Sequence, residues 1–270
     1  MLKMPSLVAN ILLLLFCGSA AAAETVSSEA ATQDEPSDPV TQPKPPDISG
    51  TWHLLMRTAT DAKVPIIGTT HIKTTTHLLI NIAQSDGEIL QSQKTCIVDS
   101  RPSRNLTRTI LPDAFIEHLT QKTYPIQVEP MPDGGWSYYA DLKQQYVGYH
   151  GHLSPDDIPR DKKHPAIFDW DEDGKPGASV LVDVPILGHI RIYMVQTNHT
   201  VLSGTVDADG FIRGTGKQRL LLQRTIGADN RLLATSPKLS VSTGHDAFIM
   251  TRLPDGASCA DVKASAEGRF

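Results

Sequence analysis

Three aspartates alternate along one short acidic segment of the sequence. Asp169, Asp171 and Asp173 stand at every second position and are followed directly by Gly174. Carboxylates this close repel one another, and a hard divalent cation offsets the repulsion by taking their oxygens as ligands. The spacing therefore predicts a loop that binds a hard divalent cation.

This segment resembles the first half of an EF-hand calcium loop, in which the first, third and fifth side chains converge on one ion. The resemblance implies that Gly174 permits the sharp turn and that the main-chain carbonyl of Lys175 is a further ligand. The chain departs from that pattern at the twelfth position, where Val180 replaces the usual glutamate. Distant acids available to complete the site are Asp156, Asp157 and Asp183. We expect a structural calcium site, and the alternative is a solvated acidic turn whose aspartates accept backbone N–H groups.

A pair of histidines forms a second candidate metal site. His150 and His152 stand two positions apart, so on an extended chain both side chains point the same way. Further potential ligands follow nearby: Asp156, Asp157, Asp161 and His164. No zinc-binding spacing accompanies the pair. A transition-metal site and a set of polar loop histidines are the two interpretations.

The sequence contains none of the motifs that are typical of a catalytic nucleophile or a nucleotide-binding site. A Gly-x-Ser-x-Gly elbow, a phosphate-binding loop and a dinucleotide fingerprint are all missing. Ser242, His245 and Asp246 lie close in sequence, but catalytic triads are assembled from separate segments. We therefore predict a noncatalytic binding or structural module, which could hold an apolar small molecule. The alternative is a secreted hydrolase with its site in the central segment, around His150, His152 and Asp169.

The first 23 residues have the pattern of an export signal. Lys3 precedes an apolar run over residues 7–16, and three alanines at 21–23 offer a cleavage site before Glu24. The apolar run is short for a membrane span, so we expect no transmembrane segment after signal removal. The predicted location is extracytoplasmic, either periplasmic or secreted. The alternative is a lipoprotein anchored at Cys17.

Residues 24–48 form a proline-rich acidic segment without aromatic residues, which predicts a disordered linker. Residues 49–270 are then expected to form one β-rich domain. The whole chain carries a net charge of −5. Since no long basic cluster interrupts that balance, we expect no nucleic-acid partner.

Two cysteines remain after removal of the signal. Cys96 and Cys259 form an even pair, which in an exported chain predicts a disulfide. Two unpaired thiols are the alternative if the export prediction is wrong.

Short strands separated by glycine-containing turns dominate the rest of the chain. Three hairpins are predicted, with the strand pairs 77–83 and 88–93, 124–129 and 136–139, and 201–206 and 211–215. Further strands are predicted at 180–184, 190–195, 218–223 and 248–253. Only 113–121 and 141–147 show helical spacing. The pattern predicts an all-β fold, an antiparallel barrel or sandwich, with one or two short helices in a central insert over 101–176.

The folded region begins with Ser49-Gly50-Thr51-Trp52. This segment resembles the Gly-x-Trp signature that opens the first strand of lipocalins and related calycin barrels. The resemblance favours a lipocalin-like barrel in which Trp52 closes one end and a basic residue, Arg224 or Arg252, packs across it. The alternative is that Trp52 is an ordinary core aromatic after a loop glycine.

Overall fold

The computed structural model describes residues 44–64, 68–85, 87–103, 108–119, 121–151, 157–184 and 188–267. The predicted signal at 1–23 and residues 24–43 of the predicted linker lie outside these ranges. Ile48, at the end of that linker, is buried in the core.

Antiparallel strands make up most of the described chain, as the sequence predicts. The strands are β1 (Gly50–Val64), β2 (Gly68–Ser85), β3 (Glu88–Pro102), β4 (Arg108–Ile110), β5 (Lys122–Pro130), β6 (Trp136–Asp141), β7 (Gln145–Val147), β8 (Ala178–Val184), β9 (Gly188–Val206), β10 (Ile212–Ala228) and β11 (Lys238–Arg252). All three predicted hairpins are present, as β2–β3, β5–β6 and β9–β10.

Eight of these strands form a closed ring in the order β10, β11, β1, β2, β3, β5, β6 and β9. The ring closes because Ile212 of β10 pairs with Met250 of β11 and also with Val206 of β9. Every ladder in the ring is antiparallel. Four of the ring ladders, β1–β2, β2–β3, β5–β6 and β9–β10, join consecutive strands with at most five residues between them, without the crossover helices that a parallel sheet would need.

A continuous apolar core fills the ring. Side chains alternate across each strand, and the inward positions of β1, Trp52 and Leu54, are both about 1% exposed. The same core includes Ile80, Tyr138 and Leu202 from β2, β6 and β9. Burial of this face stabilises the ring through the hydrophobic effect.

Beyond the ring the long strands continue as two groups. One group pairs β11, β1, β2 and β3, and the other is four strands wide and pairs β10, β9, β8 and β4, with the short β7 along the same side of β9 as β8. In the described residues β10 and β11 pair only over Ile212–Gly214, and no ladder joins β3 to β4. The two four-stranded groups are therefore not hydrogen-bonded to each other past the ring.

The central segment 101–176 is not an insert, which corrects the prediction. It supplies β5 and β6, two of the eight ring strands. The predicted helix at 141–147 is also wrong, because Asp141 ends β6 and Gln145–Val147 forms β7 against β9. Pairing with β9 gives the backbone N–H and C=O groups of Gln145–Val147 hydrogen-bond partners in a strand. This pairing outweighs the helical spacing of the side chains.

Two short α-helices are described. The predicted helix at 113–121 appears as α1 (Asp113–Glu117), and it ends early at His118, whose ring lies 2.8 Å from the Ala114 carbonyl. A second helix, α2 (Cys259–Glu267), was not predicted. No helix in the described part of the chain is long and apolar enough to cross a membrane.

The predicted disulfide between Cys96 and Cys259 is present. It joins α2 to the outer face of β3, where Leu79 and Val262 pack around Cys96. The bond therefore fixes the C-terminal helix to the ring across 163 residues of sequence.

Candidate functional site

A cavity of about 400 Å³ lies between the two four-stranded groups. It begins beyond Leu54, where the apolar core of the ring ends, and α1 borders it through Phe115 and Leu119. This volume falls within the roughly 300–1,000 Å³ that is usual for small-molecule pockets. The space beside Trp52 is filled instead by packed core side chains.

None of the described residues that line the cavity carries a charge. About half are apolar, and the others are threonine, serine, glutamine or asparagine. The alternation of β2 shows how the lining arises, because Ile72, Thr74 and Thr76 face the cavity while Lys73 and Thr75 point to the other face. The cavity is thus suited to an uncharged molecule with a large apolar surface.

A buried polar network lies where the cavity meets the ring core. The Tyr138 hydroxyl donates to Gln91 Oε1 at 2.5 Å, and Gln91 Nε2 donates to the Tyr124 hydroxyl at 2.9 Å. Tyr124 in turn donates to Gln93 Oε1 at 2.5 Å, and Gln93 lines the cavity. Burial raises the pKa of both tyrosines well above the ordinary value, so their hydroxyls stay neutral donors. We call these four residues the polar floor.

The acidic loop closes on itself as a compact turn beside β8. Trp170 N donates to the Gly177 carbonyl, and Gly177 N donates to the Phe168 carbonyl, both at 2.9 Å. Gly174 adopts a left-handed φ of +80°, which glycine accommodates without strain. Gly177 is also required by packing, since a Cβ there would lie 2.5 Å from the Met194 carbonyl oxygen.

The loop brings the three predicted aspartates together. One carboxylate oxygen from each lies within 4.8 Å of the others. Asp169 accepts hydrogen bonds from Asp173 N at 3.1 Å and Gly174 N at 2.8 Å, and Asp173 accepts one from Lys175 N at 2.9 Å. These are the bonds that the solvated-turn interpretation predicts. The role of the Lys175 carbonyl as a ligand stays a prediction.

Asp171 distinguishes this loop from an ordinary exposed turn. The residue is only 5% exposed, and its Oδ2 accepts a hydrogen bond from Ser179 N at 3.0 Å. Its Oδ1 is buried and has no hydrogen-bond partner among the described residues. Burial, with the nearby charges of Asp173 and Asp169, raises the pKa of Asp171. A buried carboxylate oxygen without a partner is costly, and a divalent cation would supply the missing contact.

The acidic loop contacts elements of one cavity wall. Asp171 holds the backbone of Ser179 at the start of β8, directly before the cavity-lining Val180. Arg191 on β9 lies 3.3 Å from Asp173 Oδ2. Glu172 lies 3.7 Å from His118 at the end of α1. The loop therefore supports the wall that β8, β9 and α1 form.

The other predicted acids lie elsewhere. Asp183 is at the far end of β8, 3.7 Å from His189, and Asp157 is exposed. Neither belongs to the acidic cluster, and Asp156 lies outside the described residues.

The predicted histidine site is described only in part. The His150 ring stacks on Phe168 with 4.5 Å between ring centroids, and His164 Nδ1 accepts a hydrogen bond from Ala166 N at 3.1 Å. His152 lies outside the described residues. Within the described ranges, the acidic loop is the only cluster of three or more potential ligands.

The segment of Ser242, His245 and Asp246 lies in an irregular stretch of β11. The strand pairs regularly with β1 up to Ala247 and resumes at Ser242, so the residues between them bulge from the ladder. Asp246 thus lies within this interruption, and Ser242 is the paired residue at its edge. The side chain of His245 lies outside the described residues.

Sequence reasoning did not identify the cavity residues or the helix α2. The cavity residues carry a weak signal, since threonine alternates with polar and charged residues along β2. Helix α2 has a stronger sequence signal, the capping box of Ser258 and Asp261. Ser258 Oγ accepts a hydrogen bond from Ala260 N, and Asp261 Oδ2 accepts one from Ser258 N.

Comparisons of the chain with protein-family models, with curated proteins and with solved structures find no match.

Proposed function

We propose that this protein is a noncatalytic binding module that holds an apolar small molecule between its two four-stranded groups. The observation that carries the proposal is the cavity of about 400 Å³ whose described lining has no charged side chain. An apolar ligand that enters it leaves water without forcing a charge to lose its hydration.

We infer that the fold is lipocalin-like and that the protein acts outside the cytoplasm. The Arg252 guanidinium lies 4.5 Å over the Trp52 ring, as the resemblance implies for a basic residue near the last strand, and Arg224 does not take this place. Gly50 has a φ of +123°, and a Cβ there would lie 2.8 Å from Arg252 Nη1, which supports the need for glycine in the signature. The Cys96–Cys259 disulfide supports export, because such bonds persist in oxidising compartments.

We further propose that the acidic loop binds a structural calcium ion. Its support is the buried, unpartnered Oδ1 of Asp171 beside two further carboxylates. Asp169, Asp171 and Asp173 would hold the ion, and its charge would offset their mutual repulsion. The ion would thereby strengthen the wall of β8, β9 and α1 that borders the cavity.

Calcium should stabilise the wild-type protein. An ion that binds only the folded state adds about 2.7 kcal/mol to the free energy of unfolding at a hundredfold excess over its dissociation constant. The variant Asp171→Asn should lose most of that gain while its metal-free melting temperature stays the same or rises slightly. Thermal melting in calcium, in magnesium and in chelator measures the effect.

Asp161→Asn is the matched control for this measurement. Asp161 accepts a similar local hydrogen bond, from Lys163 N, in an exposed turn outside the acidic cluster. This variant should respond to calcium as the wild type does. An identical wild-type melting temperature in calcium and in chelator would contradict calcium binding and would support the solvated-turn interpretation.

Binding in the cavity can be tested with Nile red, an uncharged apolar dye that fluoresces in apolar surroundings. We expect saturable fluorescence with one dye per chain. Thr76→Trp should remove most of this signal, because the larger ring fills the cavity from β2.

Thr75→Trp is the matched control, since this neighbouring position does not line the cavity. It should bind the dye as the wild type does, and circular dichroism checks that both variants are folded. Equal binding by the two variants would place the dye elsewhere, and an absence of wild-type binding would remove the proposed function.

A further inference from the structure

The deep end of the cavity contains a hydrogen-bond acceptor without a partner. Gln218 lines the cavity from β10, and its Oε1 is buried with no partner among the described residues. Its strand position is opposite Thr200 on β9, which also lines the cavity. The next pair toward the ring, Lys217 and Val201, is already at the level where β9 pairs with β6.

Gln218 on β10 and the polar-floor residue Gln93 on β3 therefore both line the cavity at the end where the ring begins. Gln93 belongs to the last residue pair between β3 and β5, so it also marks the level where the ring begins. Both glutamines stand at the inner end of a cavity whose walls alternate apolar residues with threonines. A ligand that reaches this level meets neutral amide and hydroxyl groups.

The charged residues beside Gln93 and Gln218, Lys122 and Lys217, do not line the cavity. Lys122 is opposite Gln93 in the ladder, but it is not among the described lining residues, and its Nζ donates to the Gln144 carbonyl at 2.9 Å. A carboxylate brought to the inner end would lose its water without gaining a cation. The same cost applies to an ammonium group, because no described lining residue is acidic.

We propose that the cavity selects uncharged amphipathic molecules, and that Gln218 accepts a hydrogen bond from a hydroxyl group at the buried end of the ligand. This inference rests on the proposed function and names the ligand class for the same site. Long-chain alcohols and other neutral hydroxylated lipids belong to the class. Ionised fatty acids and alkylammonium amphiphiles do not.

Three probes with the same ten-carbon chain test the selection by displacement of Nile red. 1-Decanol can donate to Gln218, 1-methoxydecane cannot donate, and decanoate carries a charge at neutral pH. We expect 1-decanol to bind about threefold to tenfold more tightly than the ether, the usual net value of one hydrogen bond. Decanoate should bind at least about tenfold more weakly than the alcohol, because its charge has no partner.

The variant Gln218→Leu distinguishes the contribution of this hydrogen bond from the affinity that any apolar cavity would have for the probes. It removes the acceptor, so the preference for alcohol over ether should fall to within about twofold while the ether binds as well as before or better. Lys217→Leu is the matched control, since Lys217 is exposed on the opposite face of β10. This control should keep the wild-type preference.

The outcomes distinguish this inference from the proposed function. If Nile red binds and is displaced by all three probes equally, the cavity binds ligands but the selection is wrong. An alcohol preference that survives in Gln218→Leu would equally overturn the role of this residue. A complete absence of dye binding would instead contradict the proposed function itself.

Discussion

Loss of the disulfide between Cys96 and Cys259 should lower the free energy of unfolding by roughly 5 kcal/mol. The bond closes a loop across 163 residues, and a cross-link over that separation strongly restricts the unfolded chain. The suitable variant is the double substitution Cys96→Ala and Cys259→Ala. Alanine is preferable to serine because Cys96 is buried beside Leu79 and Val262, where a hydroxyl would lack a partner.

Denaturant unfolding measures this loss, and wild-type protein treated with a reducing agent provides the comparison. Reduced wild type and the double variant should unfold at similar denaturant concentrations. Both should show a steeper dependence on denaturant than the oxidised protein, because an unlinked chain exposes more surface. An unfolding midpoint that reduction does not change, or free thiols at Cys96 and Cys259 in folded protein, would contradict the prediction.

Truncation of Trp52 should cost about 3–5 kcal/mol, the usual range for removal of a buried large aromatic side chain. Trp52 is about 1% exposed within the ring core, and its indole N–H donates to the Ile48 carbonyl at 3.0 Å. Trp52→Ala therefore leaves a cavity and an unpaired carbonyl. Trp136→Ala is the matched control, since Trp136 is only half-buried on β6, and it should cost clearly less.

Arg252 should be coupled to Trp52 by a smaller amount. Arg252→Ala is expected to cost about 0.5–1 kcal/mol, the range of an exposed cation–π contact. In a double-mutant cycle this cost should largely vanish once Trp52 is alanine, although the bond from Arg252 Nη1 to the Ser49 carbonyl remains a separate contribution. Full additivity of the two substitutions would show that the stacked geometry contributes nothing.

The hairpins were predictable because their signals are local. Gly87, Gly134 and Gly210 all have left-handed φ values in the turns where the sequence placed them. The apolar or alternating runs on either side of each turn then indicated the paired strands. The same locality explains the acidic loop, since the three aspartates lie within five residues of one another.

Features that depend on distant pairing were not predictable. Segments 190–195 and 201–206 read as separate strands, yet they form one long strand because β9 finds partners along its whole length. Residues 141–147 have helical spacing, but only the position of β9 shows that Gln145–Val147 pair with it as strand β7. Closure of the ring requires Ile212 to pair on both sides, and no local pattern encodes that.

The candidate sites also combine features that are local in sequence with features that depend on distant pairing. Sequence spacing identifies Asp169, Asp171 and Asp173, but the burial of Asp171 depends on β8 packing behind it. The cavity depends on the separation of two strand groups beyond the ring, so its lining residues become a set only in the folded chain. Gln218 has no sequence signal at all, and its unpartnered oxygen is visible only in three dimensions.

A crystal of the protein soaked with 10-bromodecan-1-ol, with data collected at the bromine absorption edge, tests the cavity as a ligand site most directly. We expect one anomalous peak between the two strand groups, bordered by cavity-lining residues of β2 and β9, and ligand density that runs from it toward Gln218. Bromine peaks only on outer faces of the sheet, or an unchanged cavity at concentrations that displace Nile red in solution, would contradict it.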